Sequence, residues 1–318
     1  MIRYILKRIL QAIPLLLVIS FIVFTLIHLA PYDAIDSQIT SNMSQEEINI
    51  LREQSGLNKP FLIQYVDWLG QILSGNFGHS LVTHNSVGEE ILAKIPNTIS
   101  LVLPAYVTAL IIAIVLGLVA AANKGKWQDK LIDAVASLGI ATPSFWIAMI
   151  FIYVLGYQLN LFPIIGMHTI GKEDDFGDFL SHFIMPYLTL TIVFFAELTR
   201  YVRSSALSQT NEEYVVVQQA FQATKTQIFT RHIIKNVLIP VITQVGMSLP
   251  MLVTGAIITE TVFSWPGVGP YITQATRALD YPIIMAVMLL SATLVIVGNL
   301  ISDILYSIVD PRIRRGGK

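Results

Sequence analysis

Six stretches of this chain run for about twenty residues or more with hardly a charged side chain, at 9–30, 99–122, 131–157, 183–202, 237–262 and 282–307. A helix needs roughly 20 apolar residues to cross the hydrocarbon of a bilayer. An unpaired peptide group is too costly there for irregular chain, so such stretches fold as helices. The pattern predicts an all-α polytopic membrane protein with six transmembrane helices. Composition agrees: 54% of the 318 residues are hydrophobic and 13% charged, where a soluble domain carries about 25% charged residues. The absence of cysteine excludes thiol catalysis, disulfides and thiolate metal sites. A net charge of -1 argues against a nucleic-acid partner.

The first stretch follows Arg3, Lys7 and Arg8, as a signal peptide would. Its apolar run is longer than a signal's, and no small-residue cleavage site closes it. It therefore reads as a retained helix. Lysine and arginine set the orientation. They gather at the N-terminus, at Lys124, Lys126 and Lys130, at Arg203, Lys225, Arg231 and Lys235, and at Arg312, Arg314, Arg315 and Lys318. With six crossings all four groups share one side. The other side is acid-rich, with Asp33, Asp36, Glu46, Glu47, Glu53, Asp67, Glu89 and Glu90, then Glu173, Asp174, Asp175 and Asp178. Both termini are expected in the cytoplasm.

Three parts follow: an N-terminal segment with the first helix (1–30), a structured outer loop (31–98), and a five-helix core (99–318) with a cytoplasmic loop at 204–236. The outer loop is too long for a plain connection. Ser44-x-x-Glu47 forms a capping box, with Gly56 as the stop. Pro60 opens a second helix that Gly75 ends, with Phe61, Tyr65, Trp68, Leu69 and Ile72 at helical spacing. Ser86-x-x-Glu89 opens a third, with Ile91, Leu92 and Ile95 on one face.

A polar island, EEYVVVQQAFQATKTQIFTRH, interrupts the apolar core at 212–232. Thr210-x-x-Glu213 and Thr224-x-x-Gln227 both read as capping boxes, giving two short helices with a turn near Gln222–Ala223. Tyr214, Val217 and Phe221 are expected to share a face. Such a face either folds back on the bundle or enters a partner's cleft, and periodicity does not choose between them.

Near the end of the fifth stretch, TETVFSWPGVGP places Glu260 within apolar sequence. Pro266, Gly267, Gly269 and Pro270 force a non-helical turn, the glycines supplying backbone angles that a side chain would strain. Glu260 either faces a bundle interior or snorkels to the interface. Glu197 and Asp303 lie near the cytoplasmic ends of their helices, and salt bridges with Arg200 and Arg203 are expected. Pro186, Pro240 and Pro250 are expected to kink their helices. The six histidines show no paired ligand spacing, so no metal site is expected. No phosphate-binding loop occurs, so the energy source is another chain or an ion gradient.

Nearly the whole chain resembles the B-type permease subunits of ATP-binding-cassette importers for dipeptides, oligopeptides and nickel. The likeness rests on RYILKRILQAIPLLLVISFIVFTLIHLAP, GLNKPFLIQYVDWL, GNFGHS, TPSFW, LFPIIG, RSSAL, ETVFSWPGVGPYI, DYPIIMAVMLL and NLISDILYSIVDPRIR, in that order. It implies a type I importer permease fold in a prokaryotic cell membrane. The transport subunit would not be an enzyme and would bind no cofactor, with ATP and Mg held by partners. Those partners are a second permease chain, two cytoplasmic ATPase subunits and an extracytoplasmic solute-binding protein, in contact with lipid. The island then resembles the helix that docks on the ATPase, through Glu213, Tyr214, Val217, Ala220, Phe221, Gln222, Thr224, Ile228 and His232. The stretch with Glu260, Phe263, Pro266, Gly267 and Gly269 would lie beside the outer gate. One departure stands out: a glycine of the family falls at Gln222, where a left-handed turn costs another residue roughly 1 kcal/mol. The implied function is import of oligopeptides or dipeptides by alternating access, with a nickel or metal-chelate importer as the alternative. A proton-coupled secondary transporter needs midplane ionisable groups and commonly an inverted repeat, neither of which the sequence displays.

Overall fold

The computed structural model describes residues 2–29, 43–54, 58–248, 251 and 256–309, with side chains outside 2–9, 51, 54, 303 and 305–309. The expected stop at Gly56, the kink at Pro250, the acids Asp33 and Asp36, and the basic tail from Arg312 lie outside the described residues, as do the side chains of Arg3, Lys7, Arg8 and Asp303. The chain is helical throughout its regular structure, and a single bridge between His79 and Ser86 is the only strand-like pairing among the described residues.

Helix α1 (Ile2–His28) leads to two short helices, α2 (Gln45–Gln54) and α3 (Phe61–Leu73). The Ser44 box forms as expected: the Ser44 amide donates to Glu47 at 2.7 Å and the Glu47 amide donates back to the Ser44 hydroxyl at 3.3 Å. The hydrogen bond from the Ser44 amide holds the Glu47 carboxyl below its ordinary range. Pro60 caps α3 one position earlier than expected, and Gly75 ends it in the left-handed region at φ 84°. Aromatic rings tie α3 to α1: Phe24 packs against Phe61, Tyr65 and Trp68, and the Tyr65 hydroxyl meets Ser20 at 2.9 Å.

The expected third outer helix is not separate. It is the first part of α4 (Val87–Ala122), one helix of 36 residues that contains Pro96 and Pro104. A proline inside a helix removes one hydrogen bond without ending it, provided neighbours hold the backbone. The neighbours here are close. Trp265 and Val268 hold α4 at Asn97 and Thr98, as described below, and α7 (Phe176–Gln209) runs along the remainder.

The 131–157 stretch is bent. Helix α5 (Trp127–Ala141) and helix α6 (Ser144–Phe151), continued by a π-helical segment at Ile152–Gln158, meet at 95°. Thr142–Pro143 forms the corner, because the residue before a proline is pushed to extended backbone; Thr142 has ψ 121°.

After α7 come α8 (Glu213–Ala220), the single turn α9 (Lys225–Gln227), a π-helical segment (Ile228–Ile233) and α10 (Ile234–Ser248). Then follow α11 (Ile257–Val262), α12 (Val268–Ala278) and α13 (Tyr281–Val309). Pro186 and Pro240 lie inside α7 and α10. Four described helices are long and apolar enough to span a membrane, and the bent pair, counted as one span, would be a fifth. The 237–262 stretch is divided between α10 and α11, with the join outside the described residues.

Small residues let the helices approach closely, which matters in lipid where apolar burial does not drive association. A Cβ at Gly117 would lie 2.7 Å from Val202, and one at Gly139 would lie 2.7 Å from Ala196. At Gly246 it would overlap Ser302 on α13. Alanines 105, 109 and 113 of α4 are fully buried against Leu190, Phe194 and Leu198 of α7. The opposite face of α4 leaves Val107, Ile111 and Val115 exposed for lipid or another chain. A second clasp lies at the α13 entrance. There Asp280, itself buried, accepts hydrogen bonds from the Ser80 hydroxyl and the Leu81 amide. This pins the GNFGHS loop to the start of the last helix.

Candidate functional site

Three places draw together the residues singled out from the sequence: the turn after α11, the island, and a cavity between α4, α7, α10 and α13.

At the turn, Glu260 is fully buried and does not snorkel. Its Oε2 accepts the Gly269 amide at 2.7 Å, and its main-chain oxygen accepts the Trp265 amide at 2.8 Å. The Thr98 hydroxyl accepts the Val268 amide at 2.9 Å. Trp265 is fully buried and donates its ring N–H to the Asn97 carbonyl, while Asn97 returns a hydrogen bond to the Pro266 carbonyl. Phe263 is buried beside Ala148 and Met185, and its carbonyl accepts the Gly166 amide of the LFPIIG loop. The turn is therefore a knot built around a carboxylate, joining α4, the 161–166 loop and α12. The expected reason for the glycines changes. Gly267 has φ -92°, an ordinary angle. Its hydrogen is required because a Cβ would collide with the Glu260 carboxylate and the Thr98 hydroxyl. A Cβ at Gly269 would lie 2.7 Å from the same carboxylate. The residue in the left-handed region is Ser264, at φ 50°. No local sequence pattern marks Asn97, Thr98 or Trp265, whose partners lie about 170 positions apart.

In the island, the Thr224 box forms in both directions. The Thr210 box does not. Thr210 closes α7 and gives its hydroxyl to the Leu207 carbonyl, while Glu212 stands at the start of α8. The expected stripe is also divided. Val215 is the buried anchor, set among Ile228, Phe229, Ile233 and Ala121. Tyr214 is half-buried beside them, with its hydroxyl donating to Gln209 at 3.1 Å, and burial pushes the phenol up from its ordinary range. Val217 and Phe221 face outward with Val216, and Phe221 is 80% exposed. Glu213, Ala220, Gln222 and Thr224 are exposed too, Ile228 is buried, and His232 is half-buried. Gln222 adopts the left-handed conformation at φ 59°. Its amide donates to Gln219 and the Ala223 amide donates to Gln218, the paired hydrogen bonds of a Schellman helix stop. The turn that glycine favours is thus kept with glutamine in its place.

The cavity, about 410 Å³, is lined by Tyr106, Phe194, Glu197, Leu198, Gln244, Met247, Ser248, Met251 and Val295. Glu197 is not at a helix end: about 18 Å of α7 separates it from Gln209. The expected salt bridge with Arg203 is absent. Arg203 instead grips Asp129 of α5 with two hydrogen bonds of 2.6 and 3.0 Å, and Asp129 also accepts the Gly125 amide. Arg200 is exposed. No local pattern marks Asp129, whose partner lies 74 positions away.

Helices of membrane-spanning length around a partly polar cavity, with a capped helical island presenting apolar residues, fit a membrane transport component. The chain belongs to the family described as binding-protein-dependent transport system inner membrane component, whose model matches residues 113–315. A companion model for the N-terminal part of such membrane components matches residues 1–102. The chain is 38% identical to the oligopeptide transport system permease protein AppB of Bacillus subtilis (strain 168), over 98% of this chain and 99% of that one. It is 33% identical to the dipeptide transport system permease protein DppB of Alkalihalophilus pseudofirmus, over 99% and 100%. It is 35% identical to the metal-staphylopine import system permease protein CntB of Staphylococcus aureus, over the full length of both.

Proposed function

We propose that this chain is the transmembrane permease subunit of an ATP-driven importer that moves oligopeptides or dipeptides by alternating access. It crosses the membrane six times, with α10 and α11 together supplying one crossing, and both termini lie in the cytoplasm. Its partners are a second permease chain, two cytoplasmic ATPase subunits that hold ATP and Mg, and an external solute-binding protein. The observation that carries the reading is the outward face of the island. Val216, Val217 and Phe221 stand exposed on a helix whose stop and neighbour are both capped. A rigid apolar face on a charged side of the membrane is suited to a partner's groove. The knot around Glu260 stands at the other end of the helices, where the outer gate of such a permease would close. The similarity to a metal-staphylopine permease keeps a metal-chelate importer as the second reading.

Phe221→Asp should leave the chain in the membrane but lose the ATPase during detergent purification. A carboxylate buried in the contact without a partner weakens it by roughly a hundredfold or more. Full ATPase retention with normal transport would refute docking at the island. Topology has its own check. In intact cells, a tag after Lys318 should be protected and a tag inserted within 38–44 accessible; the reverse pattern would invert the orientation and remove the island from the ATPase side.

A further inference from the structure

The cavity between α4, α7, α10 and α13 has a chemical polarity of its own. Most of its lining is apolar, and Glu197 is the one carboxylate among the described residues that form it. Glu197 is itself exposed in this chain, and a carboxylate at membrane depth is retained where it meets a cation or water. Glu197 has no ion pair among the described residues: Arg203 is committed to Asp129. Across the cavity, Tyr106 is 8% exposed, and its hydroxyl lies within reach of the Ser248 side chain on the same cavity wall. Phe194 packs edge-on to the Tyr106 ring at 5.4 Å, so aromatic faces flank the same space. The volume of about 410 Å³ falls within the range of small-molecule sites.

We infer that Glu197 and Tyr106 form a subsite in the transport path for a primary ammonium group of the cargo. An ammonium has three donors and no acceptor. The carboxylate supplies charge and one acceptor, the phenol oxygen supplies a second, and the aromatic faces favour a cation. A free peptide brings such a group at its amino end, so the inference rests on the peptide-import reading and names what that path recognises. Glu197 acts on the passing cargo, while the island acts on a partner chain and the Glu260 knot on the outer gate.

The test uses the whole transporter in proteoliposomes with its binding protein, ATP, and an equimolar mixture of di-, tri- and tetraalanine as probe. Glu197→Gln should reduce peptide taken up per ATP hydrolysed by about tenfold, the loss expected for one charge-assisted hydrogen bond. Glu197→Asp should restore most of it, and Tyr106→Phe should give a smaller decrease. The second permease chain and the ATPase should remain bound in all three variants. Unchanged uptake per ATP in Glu197→Gln would overturn the subsite while leaving peptide import intact. Loss of the second permease chain from Glu197→Gln would also overturn it, making the carboxylate an interface partner. Failure of the unaltered transporter to take up any of the three peptides would overturn the peptide reading and this inference with it.

Discussion

Gly267→Val should lower uptake per assembled complex by more than tenfold. The backbone angle at this position accommodates valine, so the whole effect comes from the space its side chain would need. That space holds the Glu260 carboxylate and the Thr98 hydroxyl, both buried and both bonded to amides of the turn. One of them must be driven off. A buried carboxylate that loses its donor costs several kcal/mol, enough to undo the turn and its hold on Asn97. Gly269→Ala should act in the same direction more weakly, since Ile257 and the same carboxylate crowd it. Uptake is measured with the binding protein in excess and divided by the amount of intact complex. Normal corrected uptake in Gly267→Val would mean that the turn is a helix exit with no part in opening the path.

Arg203→Ala should destabilise the purified chain by about 2–3 kcal/mol, read as a lower denaturation midpoint in detergent. Removing one partner of a buried pair strands the other. Asp129 is left only 5% exposed, with the Gly125 amide as its remaining donor. The figure is held to the low end because the arginine is 26% exposed and water already screens part of the attraction. The double variant Asp129→Ala, Arg203→Ala should be more stable than Arg203→Ala alone, since no charge is then left unmatched. Equal midpoints for Arg203→Ala and the unaltered chain would show that α5 and α7 are held by packing at Gly139 and Ala196 without help from the ion pair.

Much of the helical layout was legible because lipid leaves the backbone few choices. A long apolar stretch must be a helix, and α4, α7 and α13 each contain the stretch that announced them. Hydropathy could not see the corner at Thr142–Pro143, since both arms lie within one apolar stretch. Nor could it see that the third outer helix and its span are one, because a proline reads as punctuation until neighbours support it. In the island, Val215, Val216 and Val217 form an unbroken apolar run with no period, so the choice of the inward one waited on Ile228 and Phe229. The Thr224 box was readable because both its members are local. The Thr210 box failed because α7 runs on to Gln209 and takes the threonine hydroxyl for itself. Asp129 and Arg203, like Thr98 and Val268, are partners across long sequence gaps, which no local pattern records. Glu260 was conspicuous as a charge in apolar sequence. Its task, accepting an amide nine residues on, required the turn to be seen closed.

Helix α4, at 36 residues, is about 54 Å long, well beyond the roughly 30 Å of hydrocarbon it crosses. Two points along it, about 35 Å apart, meet the knot and the island. Asn97 and Thr98 hold the Trp265 knot, and Ala121 packs beside Val215 and Phe229 of the island. The stretch of α4 between them would act as a single tie-rod, bolted to the knot at one end and packed on the island at the other. The rod is not uniform. Pro104 leaves the Ser100 carbonyl without its helical donor, so bending stiffness is lowest just inside the bolted end. From Ala105 to Ala122 the ladder has no such gap, and that length transmits a push with little loss. Compliance is thus concentrated within two turns of the knot, so a bend of the helix would fall there instead of being spread along the bundle.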